Sequence, residues 1–181
     1  MPYSLAPIED FERDCQMHFA CYSMCHSGVV EEGESLASIP NQRTTTHFHS
    51  DEPDITKTTA SFRVSDLRSL AARDGEFADL LAKSIVVSLY ARWDEFHRQQ
   101  IATENLVSRK AVRSDLMGDI RLVRNCIVHA NSMLTDEHRK VKQLPWALQP
   151  GRLNLTRIMM SALFNRLNRE HIHVEHCPSK Q

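Results

Sequence analysis

The chain has 181 residues, 41% of them apolar and 25% charged, with a formal net charge of -1. That is enough for one domain with a real core, and too apolar for general disorder. No stretch approaches the ~18 consecutive apolar residues of a membrane span, and the acidic start (Glu9, Asp10, Glu12, Asp14) lacks the basic-then-apolar order of a signal peptide.

Five cysteines, an odd number with no secretory signal, imply reduced thiols and a cytoplasmic setting. Only five glycines, with apolar residues at helical spacing, imply an all-α protein. The small net charge hides a polarity. Residues 1–91 hold 7 Lys/Arg against 14 Asp/Glu, and residues 92–181 hold 15 against 9. A polyanion would favour the second half, although helical surfaces can also differ in charge without a ligand.

In chain order, residues 4–26 read as a first helix with Ile8, Phe11, Cys15, Phe19 and Tyr22 on one stripe. Pro7 fits a first turn, and Gly28 is a plausible stop. Residues 28–62 read as a long polar insertion or mobile loop, with short strands at Thr44–Phe48 and Ser61–Val64. Ser65 can cap a short helix, Asp66–Ala72. A long helix from Glu76 to Thr103 follows, with Phe77, Leu81, Ile85, Leu89, Trp93 and Phe96 as the main core wall.

The next helix, Ser114 to Ser132, can be capped by Ser114 or Asp115. Leu116, Ile120, Val123 and Ile127 form one apolar stripe, and Leu122, Cys126 and Met133 a second. A helix apolar on two sides is buried on two sides, by its own bundle or by a partner subunit. Asp136–Leu144 reads as a charged helix or turn, and Pro145, Pro150 and Gly151 break the chain around an exposed-looking Trp146. A last helix over Asn154–Arg169 carries Leu155, Ile158, Met159, Ala162, Leu163 and Leu167. The tail 171–181 reads as frayed.

The chemistry concentrates in Arg121-Leu-Val-Arg-Asn-Cys-Ile-Val-His129. A guanidinium and an imidazole held together can grip a phosphate and move protons beside it. Arg124 and His129 are five residues apart, a rise of about 7.5 Å and a rotation of about 140° on a straight helix. They do not share a face, so a simple pair within one helix is not expected. Convergence needs the reach of arginine, a distortion, or a second copy of the helix. Asn125 and His129, at i and i+4, do share a face.

Arg124-Asn-Cys-Ile-Val-His129, led by the apolar helix from Asp119, resembles the Arg–polar–x–x–x–His signature of HEPN domains, helical RNA-cutting domains of toxins and antiviral systems. Tyr90-Ala-Arg-Trp-Asp-Glu95 resembles the aromatic-acidic end of the preceding helix in several branches. The resemblance covers about Phe77 to Trp146. It implies an all-α, up-and-down bundle of four to five helices that dimerises through the motif helix, so that two motifs line one cleft. It also implies metal-independent endoribonuclease activity. The 2′-hydroxyl attacks its neighbouring phosphate and leaves a 2′,3′-cyclic phosphate and a 5′-hydroxyl.

In that scheme His129 moves the proton, Arg124 holds the phosphate and Asn125 orients or binds. Asp94 and Glu95 are supporting candidates to steer the two catalytic side chains, and Arg121 and Trp146 are candidate RNA contacts. Trp146 could stack a base, but covering the bundle end is the stronger alternative. No cofactor is expected, and an antitoxin or regulatory partner is possible. Some toxin branches carry a tyrosine two positions after the histidine, which a partner nucleotidyltransferase modifies. Asn131 stands there, so that control is not expected. The rival reading is a non-catalytic module of the same shape that binds RNA, nucleotide or a protein partner.

Cys15, His18, Cys21, Cys25 and His26 crowd the first helix, but tight Cys-x-x-Cys pairs are missing and no metal is expected. Cys126 is expected to pack, and His47, His49, His171, His173 and His176 to be solvated.

Overall fold

The computed structural model describes residues 5–41, 43–49, 58–146 and 148–175. It is predominantly helical, with three two-stranded pairings. No helix among the described residues is long and apolar enough to cross a membrane.

Helix α1 spans Ala6–Ala37 with Pro7 in its first turn. It does not stop at Gly28 but runs nine residues further. The reason lies at Gly33, where a Cβ would stand 2.9 Å from the Ala71 carbonyl oxygen. The glycine lets α1 pass close to the end of α2 (Val64–Leu70), and that packing extends the helix through its polar end. Ile8, Phe11, Cys15 and Tyr22 are buried as expected, whereas Phe19 stays 41% exposed with its ring 5.0 Å from Phe164.

The expected polar insertion is therefore helical up to Ala37. A hairpin follows, with β1 (Thr45–His49) antiparallel to β2 (Thr58–Arg63). The intervening 50–57, part of the expected loop, lie outside the described residues. Leu36, Val64 and Leu67 make a small second core beneath the hairpin, with Phe62 and Phe77 against it. Ser65 lies inside α2, whose N-cap is Arg63, and its hydroxyl donates to Asp66.

The long central helix is interrupted. Helix α3 (Glu76–Ala91) runs into a π-helical turn, Arg92–His97, and continues as α4 (Arg98–Glu104). A π turn closes hydrogen bonds from i to i+5, so it shifts the phase of every side chain after it. Trp93 remains buried, but Phe96 is turned out to 48% exposure and His97 takes the inward place at 2%. A wheel drawn at 3.6 residues per turn puts Phe96 in the core, and the π turn overturns that expectation.

Helix α5 (Asp115–His129) begins at Ser114, whose hydroxyl accepts from the Met117 amide. Leu116, Met117, Ile120, Val123 and Cys126 are buried. The second apolar stripe is thus split: Cys126 joins the core, Leu122 is half-buried and Met133 is 49% exposed. Burial raises the Cys126 thiol, with Lys83 opposing, as suits a packed thiol. After His129 the chain reverses through two left-handed residues, Asn131 (φ 47°) and Ser132 (φ 62°). The Ser132 amide closes onto the Cys126 carbonyl, and β4 (Met133–Leu134) pairs with β5 (Gly151–Arg152).

Buried Asp119 shapes the next segment by accepting the backbone amides of Lys142, Gln143 and Leu144. Residues 136–144 form turns rather than a helix. Helix α6 spans Arg157–Phe164, shorter than expected, with Thr156 as its cap. Leu155, Met160 and Leu163 are buried, but Ile158 is 81% exposed. The tail is not frayed throughout: β6 (His173–Val174) pairs with β3 (Val112–Arg113). Residues 176–181, the remainder of the expected frayed tail with His176, lie outside the described residues.

Candidate functional site

The motif sits on the outward side of the second half of α5, because Val123 and Cys126 face the core and fix the phase of the helix. Arg124 and Asn125 are half-buried, and His129 and Arg121 are exposed. Arg124 Nη1 lies 2.9 Å from His129 Nε2 and 3.1 Å from Asn125 Oδ1. The three polar side chains meet within one chain. Of the three routes to convergence that the spacing leaves open, the reach of arginine is the one that spans the rotation here.

A guanidinium N–H can only donate, so Nε2 is the acceptor and the proton of the neutral ring sits on Nδ1. Asn125 does not bond His129 directly. Its carbonyl oxygen shares the same arginine nitrogen.

Asp94 is directed elsewhere. Its carboxylate pairs with Arg109 at 2.7 Å and Arg98 at 3.1 Å. Partial burial raises its pKa, but hydrogen bonds and charge from those arginines prevail and hold it below the usual carboxylate range. Arg109 also donates to the Asp94 carbonyl, and Arg98 to the Val112 carbonyl, so the acid ties the π turn to the segment leading into α5. It positions the frame and does not steer Arg124 or His129. Glu95 is exposed on the same turn.

Tyr90 lies between the two groups. Desolvation and then Asp94 raise its phenol, while Arg121, Arg98 and Arg124 pull it down. Arg121 and Arg124 of the motif and Arg98 of α4 thus all act on one phenol. The i,i+4 spacing of Asp94 and Arg98 signals half of this cluster in the sequence. Nothing in the spacing signals Arg109.

Trp146 is not a free stacking platform. It is 6% exposed, and its indole N–H donates to the Met159 carbonyl at 3.0 Å. It covers the bundle end, the stronger of the two alternatives its sequence context offered.

A groove of about 1170 Å³ lies to the side of the motif. Ile127, Asn131 and Ser132 line it, but Arg124, Asn125 and His129 do not, and Asp66, Asp74, Glu76 and Asp79 make its wall acidic. The candidate site lies outside this groove, on an outward face where Arg121 and Arg124 supply positive charge. An open surface accommodates a polymer better than a small molecule.

The histidines of α1 and its buried thiol Cys15 do not converge. Cys15 and His26 face inward, His26 Nε2 lying 2.8 Å from the Arg73 carbonyl oxygen. His18 lies between the Asp14 carbonyl and the Ser88 hydroxyl, and Cys21 and Cys25 are exposed. Among the described residues, no group of three or more His, Cys, Asp or Glu side chains is placed to hold a metal ion.

The class defined so far is a predominantly helical protein with an Arg–Asn–His cluster on an exposed helix face. Comparison with protein-family models, curated proteins and solved structures finds no match.

Proposed function

We propose that this chain is a HEPN-like endoribonuclease, acting as a homodimer through α5 in a toxin or antiviral defence role. The observation that carries the reading is the contact of Arg124 with both Asn125 and His129 on an outward helix face. An RNA phosphate entering this surface competes for Arg124, because a charge-assisted bond to an anion is stronger than one to a neutral ring. The guanidinium moves onto the phosphate and His129 Nε2 is released.

Nε2 then takes the proton of the 2′-hydroxyl as its oxygen bonds to the neighbouring phosphorus. The bond from phosphorus to the 5′ oxygen breaks, and that oxygen gains a proton. Arg124 stabilises the charge that builds on the phosphoryl oxygens. Asn125 holds the guanidinium in line, and exposed Arg121 contacts the backbone of the strand.

The homodimer draws support from the outer face of α5. Gly118, Leu122, Asn125 and His129 follow each other at steps of four, three and four residues, the spacing by which two helices pack along a seam. Open space surrounds Gly118, and Val128 beside the seam is 46% exposed. A second α5 on this face brings two His129 rings to one groove. An antitoxin or other regulator would act by covering the same face.

The test is cleavage of end-labelled RNA, with chelator present, by wild type, His129→Ala and Arg124→Ala. Loss of cleavage in both variants, with cyclic-phosphate ends from wild type alone, is the expected result. Equal activity in all three rejects the site. One observation favours the rival, a non-catalytic binding module: His129 Nε2 is occupied by Arg124. That reading predicts RNA retention without new ends.

A further inference from the structure

Four sulfur-bearing side chains share one exposed face of α1. Met17, Cys21, Met24 and Cys25 fall at steps of four, three and one residues, which an ideal helix gathers within about 100° of arc. Met17 is 66% exposed and Met24 76%, and both cysteines are exposed free thiols. Gly28, one turn on, adds no side chain, and a Cβ there would meet open space. The remaining thiol and the imidazoles of this helix are engaged elsewhere, as described for Cys15, His18 and His26. The face therefore offers soft donors without a competing imidazole.

Cys21 and Cys25 stand one turn apart on this face, both exposed. Side chains at i and i+4 have Cβ atoms about 5–6 Å apart, wider than the ~3.5–4.5 Å that a disulfide spans. Joining the sulfurs directly requires α1 to unwind, whereas one atom between them does not. Zinc is poorly served, since its closed sites take four thiolate, imidazole or carboxylate ligands. Thiolate and thioether donors together select monovalent copper.

We propose that Met17, Cys21, Met24 and Cys25 form a surface site for one Cu(I) ion. The two thiolates hold the metal and a thioether completes the shell. On binding, two thiolate–copper bonds and one thioether–copper bond form and the two thiol protons pass to solvent, with no change in the oxidation state of copper or sulfur.

The test uses the full-length chain, reduced and oxygen-free, in competition with bathocuproine disulfonate for Cu(I). Wild type should withdraw one Cu(I) per chain. Cys21→Ser and Cys25→Ser should each weaken binding by more than the roughly 10–100-fold that an outer-shell partner is worth. Met17→Leu with Met24→Leu should weaken it by less. All four positions are on an exposed helix face, so circular dichroism should match wild type throughout. The site is rejected if wild type removes no copper from the chelator. Undiminished affinity in the double serine variant, or loss of binding in Cys15→Ser or Cys126→Ser instead, rejects it equally. Full affinity in the double leucine variant overturns the thioether's place in the shell.

Discussion

His97 and His129 each close a helical stretch, and their surroundings could hardly differ more. His97 is 2% exposed, with Nε2 2.8 Å from the Asp14 carboxylate and Nδ1 buried without a partner among the described residues. Phe11 and Phe96 pack their rings against it. His129 is exposed, and its Nε2 meets a guanidinium. The carboxylate and the rings packed against it fix His97 in place, while the guanidinium at His129 leaves its Nε2 in the accepting role on an exposed face. The same side chain is thus a fastener between α1 and the π turn in one place, and a candidate base in the other.

The largest effect that could break this contrast lies in cleavage. His129→Ala should lower RNA cleavage by about 10²–10⁴-fold, the usual contribution of a general acid or base, without lowering the melting temperature. Arg124→Lys should lower it by about 10²-fold, near the effect of losing one charge-stabilising donor, because lysine cannot donate to Asn125 and a phosphate in a fork. A cleavage assay run beside thermal melting checks both.

Asp14→Ala should do the reverse. It leaves the buried imidazole and Arg92 unpaired, at a cost of about 1.5–3 kcal/mol for hydrogen bonds to charged groups, read as a lower midpoint in urea. Should Asp14→Ala leave stability unchanged, His97 is not a fastener.

A smaller effect concerns acid. Burial raises Asp14, but hydrogen bonds from His97 and Arg92 prevail and hold it below its ordinary value near 3.8. Asp94 is likewise held low. A carboxylate depressed in the fold contributes stability that is present above its unfolded pKa and disappears as pH falls through the folded one. Unfolding midpoints should therefore decline below about pH 4, and less steeply in Asp94→Asn. An unaltered decline in that variant would remove Asp94 from the account.

Much of this was legible in the sequence because it rests on spacing. The buried face of α5 and its Ser114 cap follow from apolar period and hydroxyl position. What was hidden depends on geometry that spacing does not carry. The π turn has no mark in a 3.6-residue pattern, so Phe96 and His97 exchanged places. Gly28 and Gly33 look like breakers, yet the second is a close-packing point against Ala71. Trp146 lies between prolines like a loop residue and is buried because the Met159 carbonyl waits for its indole. For the candidate site, a wheel gives the rotation between Arg124 and His129 but not where the arginine side chain goes, so it left the reach of arginine, a distortion and a second copy as open routes to convergence.

The left-handed backbone beyond the motif has a consequence for evolvability. A bulky aromatic at position 131 would have to hold a conformation that costs most L-residues about 1–2 kcal/mol and that asparagine tolerates. Installing a tyrosine handle there would loosen the reversal that anchors the imidazole, so a chemical tag at this spot and a firmly seated His129 work against each other.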